Sequence, residues 1–267
     1  MFDVAIRSHA VRLLVDGKDL EVATFEPAEA QGPTIVLLHE GLGSVALWKA
    51  FPAQLAERTR RIVVAYSRYG HGRSDILREK RDVDYMHREG EVVLPELLAQ
   101  LHLERPVLFG HSDGASIALI FAGTYADAVA GLILEAPHVF VEDQSIRAIA
   151  EARTAFRTTS LPEKLARYHA DARRTFWGWN DIWLDPRFRN WNIESYARRV
   201  TCPTLLVQGA VDEYGTSAQI DAIAVAVPGS AAVMFEGCGH APHRDRTQAT
   251  LAAAAAFIAA VPETYGG

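Results

Sequence analysis

The chain has 267 residues, 49% of them hydrophobic and 22% charged, which is enough apolar content for a full core and excludes a disordered or low-complexity protein. A formal charge of −6 and a pI near 5.9 argue against nucleic acid or an anionic membrane surface as the main partner, because both require a clustered basic face. Met1 to Arg7 lack a basic start followed by an apolar core, no window approaches the roughly 18 apolar residues of a membrane span, and Cys202 and Cys238 have neither metal-ligand nor disulfide-framework spacing; the expectation is a cytoplasmic protein with two buried thiols.

In chain order, Val11-Leu13-Val15 and Leu20-Val22-Thr24 alternate around Asp16-Gly17-Lys18-Asp19 and predict a strand pair joined by a tight turn. From residue 34 the pattern changes to continuous apolar runs separated by helical periodicity. Strands are predicted at Ile35 to Leu38, Ile62 to Ala65, Val107 to Phe109 and Leu132 to Leu134, with helices near 46–58 and 82–101. Short runs that are apolar throughout suit strands covered on both faces, and their alternation with helices predicts a mostly parallel twisted sheet with helices on both sides. Between 137 and 199 no strand run occurs, and four of the five tryptophans fall there: Trp177, Trp179, Trp183 and Trp191. Alternation resumes with Thr204 to Val207, a helix near 217–226, Ala231 to Phe235 and an alanine-rich helix ending near Ala260. The organisation expected is one α/β core, residues 1–136 and 200–267, interrupted by a helical insertion at 137–199.

Gly110-His111-Ser112-Asp113-Gly114 follows the apolar run at Val107 and precedes an apolar helix. This is a G-x-S-x-G turn in its strand-turn-helix setting, where the sharpness of the turn demands small flanking residues and exposes the central hydroxyl. Ser112 is thus a candidate nucleophile. A serine hydroxyl needs a base and a group that orients the base. Asp212 lies just after the strand at Thr204, and His240 lies in a glycine-flanked loop after the strand at Ala231. Glu135, which also ends a strand, is the rival acid, while Glu213 is expected to point away from Asp212. His243 and Asp245 are too few to make a metal site, so no metal and no cofactor are expected. His111 is expected to face the sheet interior and His243 to support the site or cap a helix.

Together with His39-Glu40-Gly41-Leu42-Gly43-Ser44 and Gly70-His71-Gly72-Arg73-Ser74-Asp75, these motifs make the chain resemble the α/β-hydrolase family over nearly its whole length. The resemblance implies the α/β-hydrolase fold with a helical lid and a Ser112-Asp212-His240 triad. It also implies an oxyanion hole from the N–H of Asp113 and that of Gly41, with Leu42 as the nearby alternative because Glu40 departs from the family's usual His-Gly start. The implied activity is a metal-independent serine hydrolase acting on a small carboxylic ester through an acyl-enzyme. Thioesters, lactones and C–C bonds are the alternatives, and a non-catalytic small-molecule receptor is the reading from another class. Expected pocket residues are Leu42, Asp113, Trp177 and Trp183. Asp113 has two readings: a carboxylate capping the helix after the turn, which is preferred, or a site for the amino group of an α-amino-acid ester. Oligomeric state is not readable.

Overall fold

Asp16 and Gly17 both have positive φ, 48° and 69°, which makes the two-residue turn that matches the right-handed twist of its strands. It joins β1 (Arg7–Val15) to β2 (Lys18–Glu26) in antiparallel register. These and the following elements come from a computed structural model that describes residues 6–261; the reading of Met1 to Ala5 lies outside them. The apolar runs form β3 (Ile35–Leu38), β4 (Val63–Ser67), β5 (Val107–His111), β6 (Gly131–Glu135) and β7 (Thr204–Gly209), each buried along its whole length, and β8 (Ala231–Phe235) at an exposed edge. The sheet order is β1-β2-β4-β3-β5-β6-β7-β8. β2 meets β4 antiparallel, and the pairs from β4 through β3 to β8 are parallel.

The period of two along each strand divides the core. Ile35, Leu37, Val107 and Phe109 face α1 (Phe51–Thr59), whose Leu55 is buried against them together with Leu251 and Ile258 of the last helix. Val36, Leu38, Leu108 and Leu134 face the opposite layer, which includes α2 (Tyr85–Arg88), α3 (Leu94–Gln100) and α4 (Asp113–Thr124). The helix expected at 82–101 is interrupted: α2 and α3 are joined by a π turn, Glu89–Val93, just before Pro95, which has no N–H to continue the ladder. α4 is buried from Asp113 to Gly123, as a helix with apolar residues on every side must be.

Between β6 and β7 come α5 (Asp143–Thr158), α6 (Leu161–Leu165), α7 (Ala172–Trp183) and α8 (Glu194–Ala197). Among the described residues their β content is the single bridge Phe140–Asn192. The chain ends in α9 (Ala218–Ala226), α10 (Pro242–Asp245) and α11 (Thr247–Ala260). No helix among the described residues is long and apolar enough to cross a membrane. The loops leaving β3, β5, β6, β7 and β8 converge at one edge of the sheet, as carboxyl ends of parallel strands do.

Candidate active site

Ser112 sits between β5 and α4 with φ 53° and ψ −118°, a backbone state that costs a non-glycine residue energy and persists only where surroundings enforce it. The enforcement is close packing. A Cβ on Gly110 would lie 2.3 Å from the Gly114 carbonyl oxygen, and one on Gly114 would lie 2.0 Å from that of Leu38, so neither position tolerates a side chain. The Ser112 N–H is held by the Glu135 carbonyl at 2.9 Å.

The loop after β8 brings His240 Nε2 to 2.9 Å from Ser112 Oγ, and the loop after β7 brings both Asp212 oxygens to 2.9 Å from His240 Nδ1. Asp212 also accepts from the N–H groups of Tyr214 (2.8 Å) and Gly215 (3.2 Å) and from the Gln208 amide (3.3 Å). Burial pushes its carboxyl up, but the His240 charge, the His240 hydrogen bond and the Tyr214 N–H outweigh that and hold it down at about 2. An ionised Asp212 accepts only, so Nδ1 carries the proton and Nε2 presents its lone pair to Ser112. Glu213 accepts the His240 backbone N–H at 3.1 Å.

The 39–42 loop is clamped by its carbonyls. Arg68 donates to the His39 and Glu40 oxygens, His71 Nε2 lies 3.0 Å from that of Gly41, and His169 Nε2 lies 3.0 Å from that of Leu42. Gly72 N–H donates to His169 Nδ1, which fixes the donor on Nε2. Burial lowers the pKa of both His71 and His169, so they act as neutral donors. With these carbonyls satisfied, the N–H groups of Gly41, Leu42 and Asp113 have no acceptor among the described residues.

Asp113 requires a correction. Its carboxylate is buried and accepts from Tyr85 Oη at 2.8 Å and from Trp183 Nε1 at 3.2 Å, with the Arg68 guanidinium at 3.6 Å. These partners hold its oxygens, so it makes no capping hydrogen bond, although its charge stands in the first turn of α4. Trp177 also departs from expectation. It packs on Phe156 and Phe176 under the Arg157 guanidinium, outside the cavity of about 640 Å³ that contains Ser112 and His240. Helical geometry explains this: Trp179 and Trp183 are four residues apart and share a face of α7, whereas Trp177 is two residues from Trp179 and lies on the other side. Leu42, Gly41, Trp179, Trp183 and Ile149 line the cavity. The i, i+4 tryptophan pair was the available signal for Trp179.

His111 is buried on the face of β5 that carries Val107 and Phe109, against Trp48, and it also has polar partners. Its Nε2 donates to the His240 carbonyl at 2.8 Å, and its Nδ1 is 3.6 Å from the Glu40 carboxylate. Burial pulls the imidazole down, but the Glu40 and Glu135 carboxylates push it up to about 9. His138, also in the cavity wall, goes the other way: burial and the His240 charge lower it to about 4. Ligand-type atoms of His111, Glu135 and His243 lie within 4.8 Å of one another, but both Glu135 oxygens already accept from His243.

Comparison with known proteins fits this geometry. A protein of Mycobacterium tuberculosis, itself uncharacterized, is 34% identical over 132 residues, 49% of this chain and 34% of that one; the chain thus matches about a third of the length of that relative. A proline iminopeptidase of Lactobacillus helveticus is 24% identical over 265 residues, covering 84% of this chain and 88% of that one. The solved enol-lactonase from Burkholderia xenovorans LB400 superposes with a TM-score of 0.73 at 18% identity, covering 93% and 100% of the two chains. A family model described as "Alpha/beta hydrolase family" matches residues 35–254, the span that holds the strand-turn-helix at Ser112 and the loops of Asp212 and His240, and the chain belongs to that family.

Proposed function

We propose that the chain is a serine hydrolase that cleaves a small carboxylic ester through an acyl-enzyme. The observation that carries this reading is the continuous hydrogen-bonded chain from Ser112 Oγ through His240 to the ionised Asp212, each link 2.9 Å. His240 Nε2 takes the Ser112 proton as Oγ attacks the ester carbonyl carbon, and Asp212 stabilises the imidazolium. The oxyanion so formed is met by the N–H groups of Asp113 and Gly41, each worth about 3–4 kcal/mol to the transition state. His240 then protonates the departing alkoxide. Water, deprotonated by His240, attacks the acyl carbon and releases the acid and free Ser112.

Residues 137–199 serve in this reading as a lid, with Ile149, Trp179 and Trp183 forming an apolar wall for the small-molecule substrate. The Lactobacillus relative is named for peptide-bond chemistry and the Burkholderia structure for lactone chemistry, so the test covers bond type as well as mechanism. Purified chain is assayed on ester, thioester, lactone and prolyl-amide panels, with p-nitrophenyl butyrate as reference. Ser112→Ala is expected to lower kcat on the reference ester by about 10⁴-fold or more, and intact mass spectrometry of the acid-quenched wild type should show an acyl adduct on Ser112. Undiminished turnover in Ser112→Ala would sink the proposal.

A further inference from the structure

His111 packs on His240 at 5.1 Å and on a second imidazole, His243, at 4.9 Å, and that second imidazole is held by a second carboxylate. Glu135, at the end of β6, is fully buried. One of its oxygens accepts the His243 backbone N–H, and the other lies 3.0 Å from His243 Nδ1. Burial pushes the Glu135 carboxyl up, but the His243 charge and its hydrogen bonds bring it below its ordinary value. The carboxylate is therefore acceptor only, and His243 Nδ1 carries the proton. The lone pair is left on Nε2, which has no protein partner among the described residues and is open to solvent. His243 lines the same cavity as Ser112. Its ring is fixed by contacts to Trp48 (4.7 Å), Phe51 (5.5 Å) and His111 (4.9 Å).

An acceptor so strictly oriented serves neither the reacting Ser112 nor the fold around it, since all its structural bonds run through Nδ1 and the backbone. The direction of the reaction says what meets it. The leaving oxygen must face His240 Nε2 to receive a proton, and from His240 the chain continues through Ala241 to His243, both in the cavity wall. We infer that the alcohol part of an ester lies along that shared wall and that His243 Nε2 accepts a hydrogen bond from it, so that the site selects esters whose alcohol carries a second hydroxyl. The inference rests on the hydrolase reading above.

The experiment compares ω-hydroxyalkyl butyrates, two to six carbons in the alcohol, with the matching n-alkyl and ω-methoxyalkyl esters. Butyrylcholine is included as a cation without a hydroxyl donor. The wild type should favour the hydroxyl ester at one chain length by about three- to tenfold in kcat/KM, the size of one neutral hydrogen bond, with no such gain for butyrylcholine. His243→Phe, or His243→Asn should the first fold poorly, should abolish the preference. Glu135→Gln supplies a readout that a structural role would not move. The His243 backbone N–H must take the new amide's oxygen, so the amide's NH₂ donates to Nδ1 and the imidazole proton moves to Nε2. Hydroxyl and methoxy oxygens can then both accept from Nε2–H, so the advantage of the hydroxyl ester over the methoxy ester should disappear. A wild type that hydrolyses p-nitrophenyl butyrate through Ser112 but has no hydroxyl preference, a preference that survives in both His243 variants, or a gain for butyrylcholine equal to that of the hydroxyl ester overturns the inference and leaves the hydrolase reading standing. Absence of Ser112-dependent turnover on every ester overturns both.

Discussion

Arg68 is wholly buried, and its guanidinium joins the two backbone segments that bear the free N–H groups. It donates to the carbonyls of His39 and Glu40 in one segment and lies 3.6 Å from the Asp113 carboxylate in the other. Removing it leaves a buried carboxylate without its cation. Arg68→Met is therefore expected to cost about 3–5 kcal/mol, measured by urea unfolding. Asp113→Asn removes the charge that Arg68 answers, so the double variant should cost less than the sum of the singles, with a coupling of about 0.5–3 kcal/mol. Additive costs would show that the pair does not act as a unit. Little of this was legible in the sequence. The residue types around Ser112, Asp212 and His240 are marked by local glycines and strand ends, which is why their positions were readable. Arg68 and Asp113 are set by partners distant in sequence, and a carboxylate after the serine reads as a cap in preference to a binding group, with nothing local to point to Tyr85 and Trp183 as its partners.

At the scale of the element, α7 is docked on α4 through one indole. Trp183 Nε1 donates to Asp113 at 3.2 Å and lies 3.1 Å from Tyr85 Oη, while its ring forms part of the cavity wall. Gly41 meets the same helix: a Cβ there would lie 2.1 Å from Trp179 Nε1. Trp183→Phe keeps an aromatic wall but removes the donor to a buried carboxylate, at an expected cost of about 1–3 kcal/mol in thermal or urea unfolding. On p-nitrophenyl butyrate KM should rise by a larger factor than kcat falls, because the ring bounds the cavity without reaching the reacting atoms; an equal fall in kcat with constant KM would contradict that placement. The strands were legible because both faces are covered and their apolar runs are unbroken. Element ends and faces were less so. The helix expected at 46–58 divides into a 3₁₀ turn, Val45–Trp48, and α1, with Lys49 at positive φ between them, and composition alone does not separate Trp177 from Trp183 because it does not tell which side of a helix a ring occupies.

For the whole molecule, the buried imidazoles impose opposing pH dependences. His138 is lowered to about 4 in the fold, by burial first and then by the His240 charge, whereas unfolded it titrates near 6.5. Between those values the unfolded chain binds the proton and the native chain does not, so stability falls on acidification by roughly 3 kcal/mol from this group by pH 4. Burial gives His39, His71 and His169 the same sign. His111 is opposite: although burial lowers it, Glu40 and Glu135 raise it to about 9. Its contribution, also roughly 3 kcal/mol, is fully present below pH 6.5 and is lost as pH rises toward 9. These histidine contributions predict stability that declines on both sides of about pH 6.5, readable as urea midpoints from pH 4.5 to 9. His138→Phe keeps a ring against Trp183, 5.2 Å away in the native packing, and should make the acid flank shallower without changing the alkaline one. His111→Gln keeps a donor for the His240 carbonyl and should flatten the alkaline flank alone. If both variants shifted the midpoint by a constant amount across the whole range, neither histidine would change protonation between the folded and unfolded chains, and the opposed electrostatics of His138 beside His240 and His111 between two carboxylates would not govern stability.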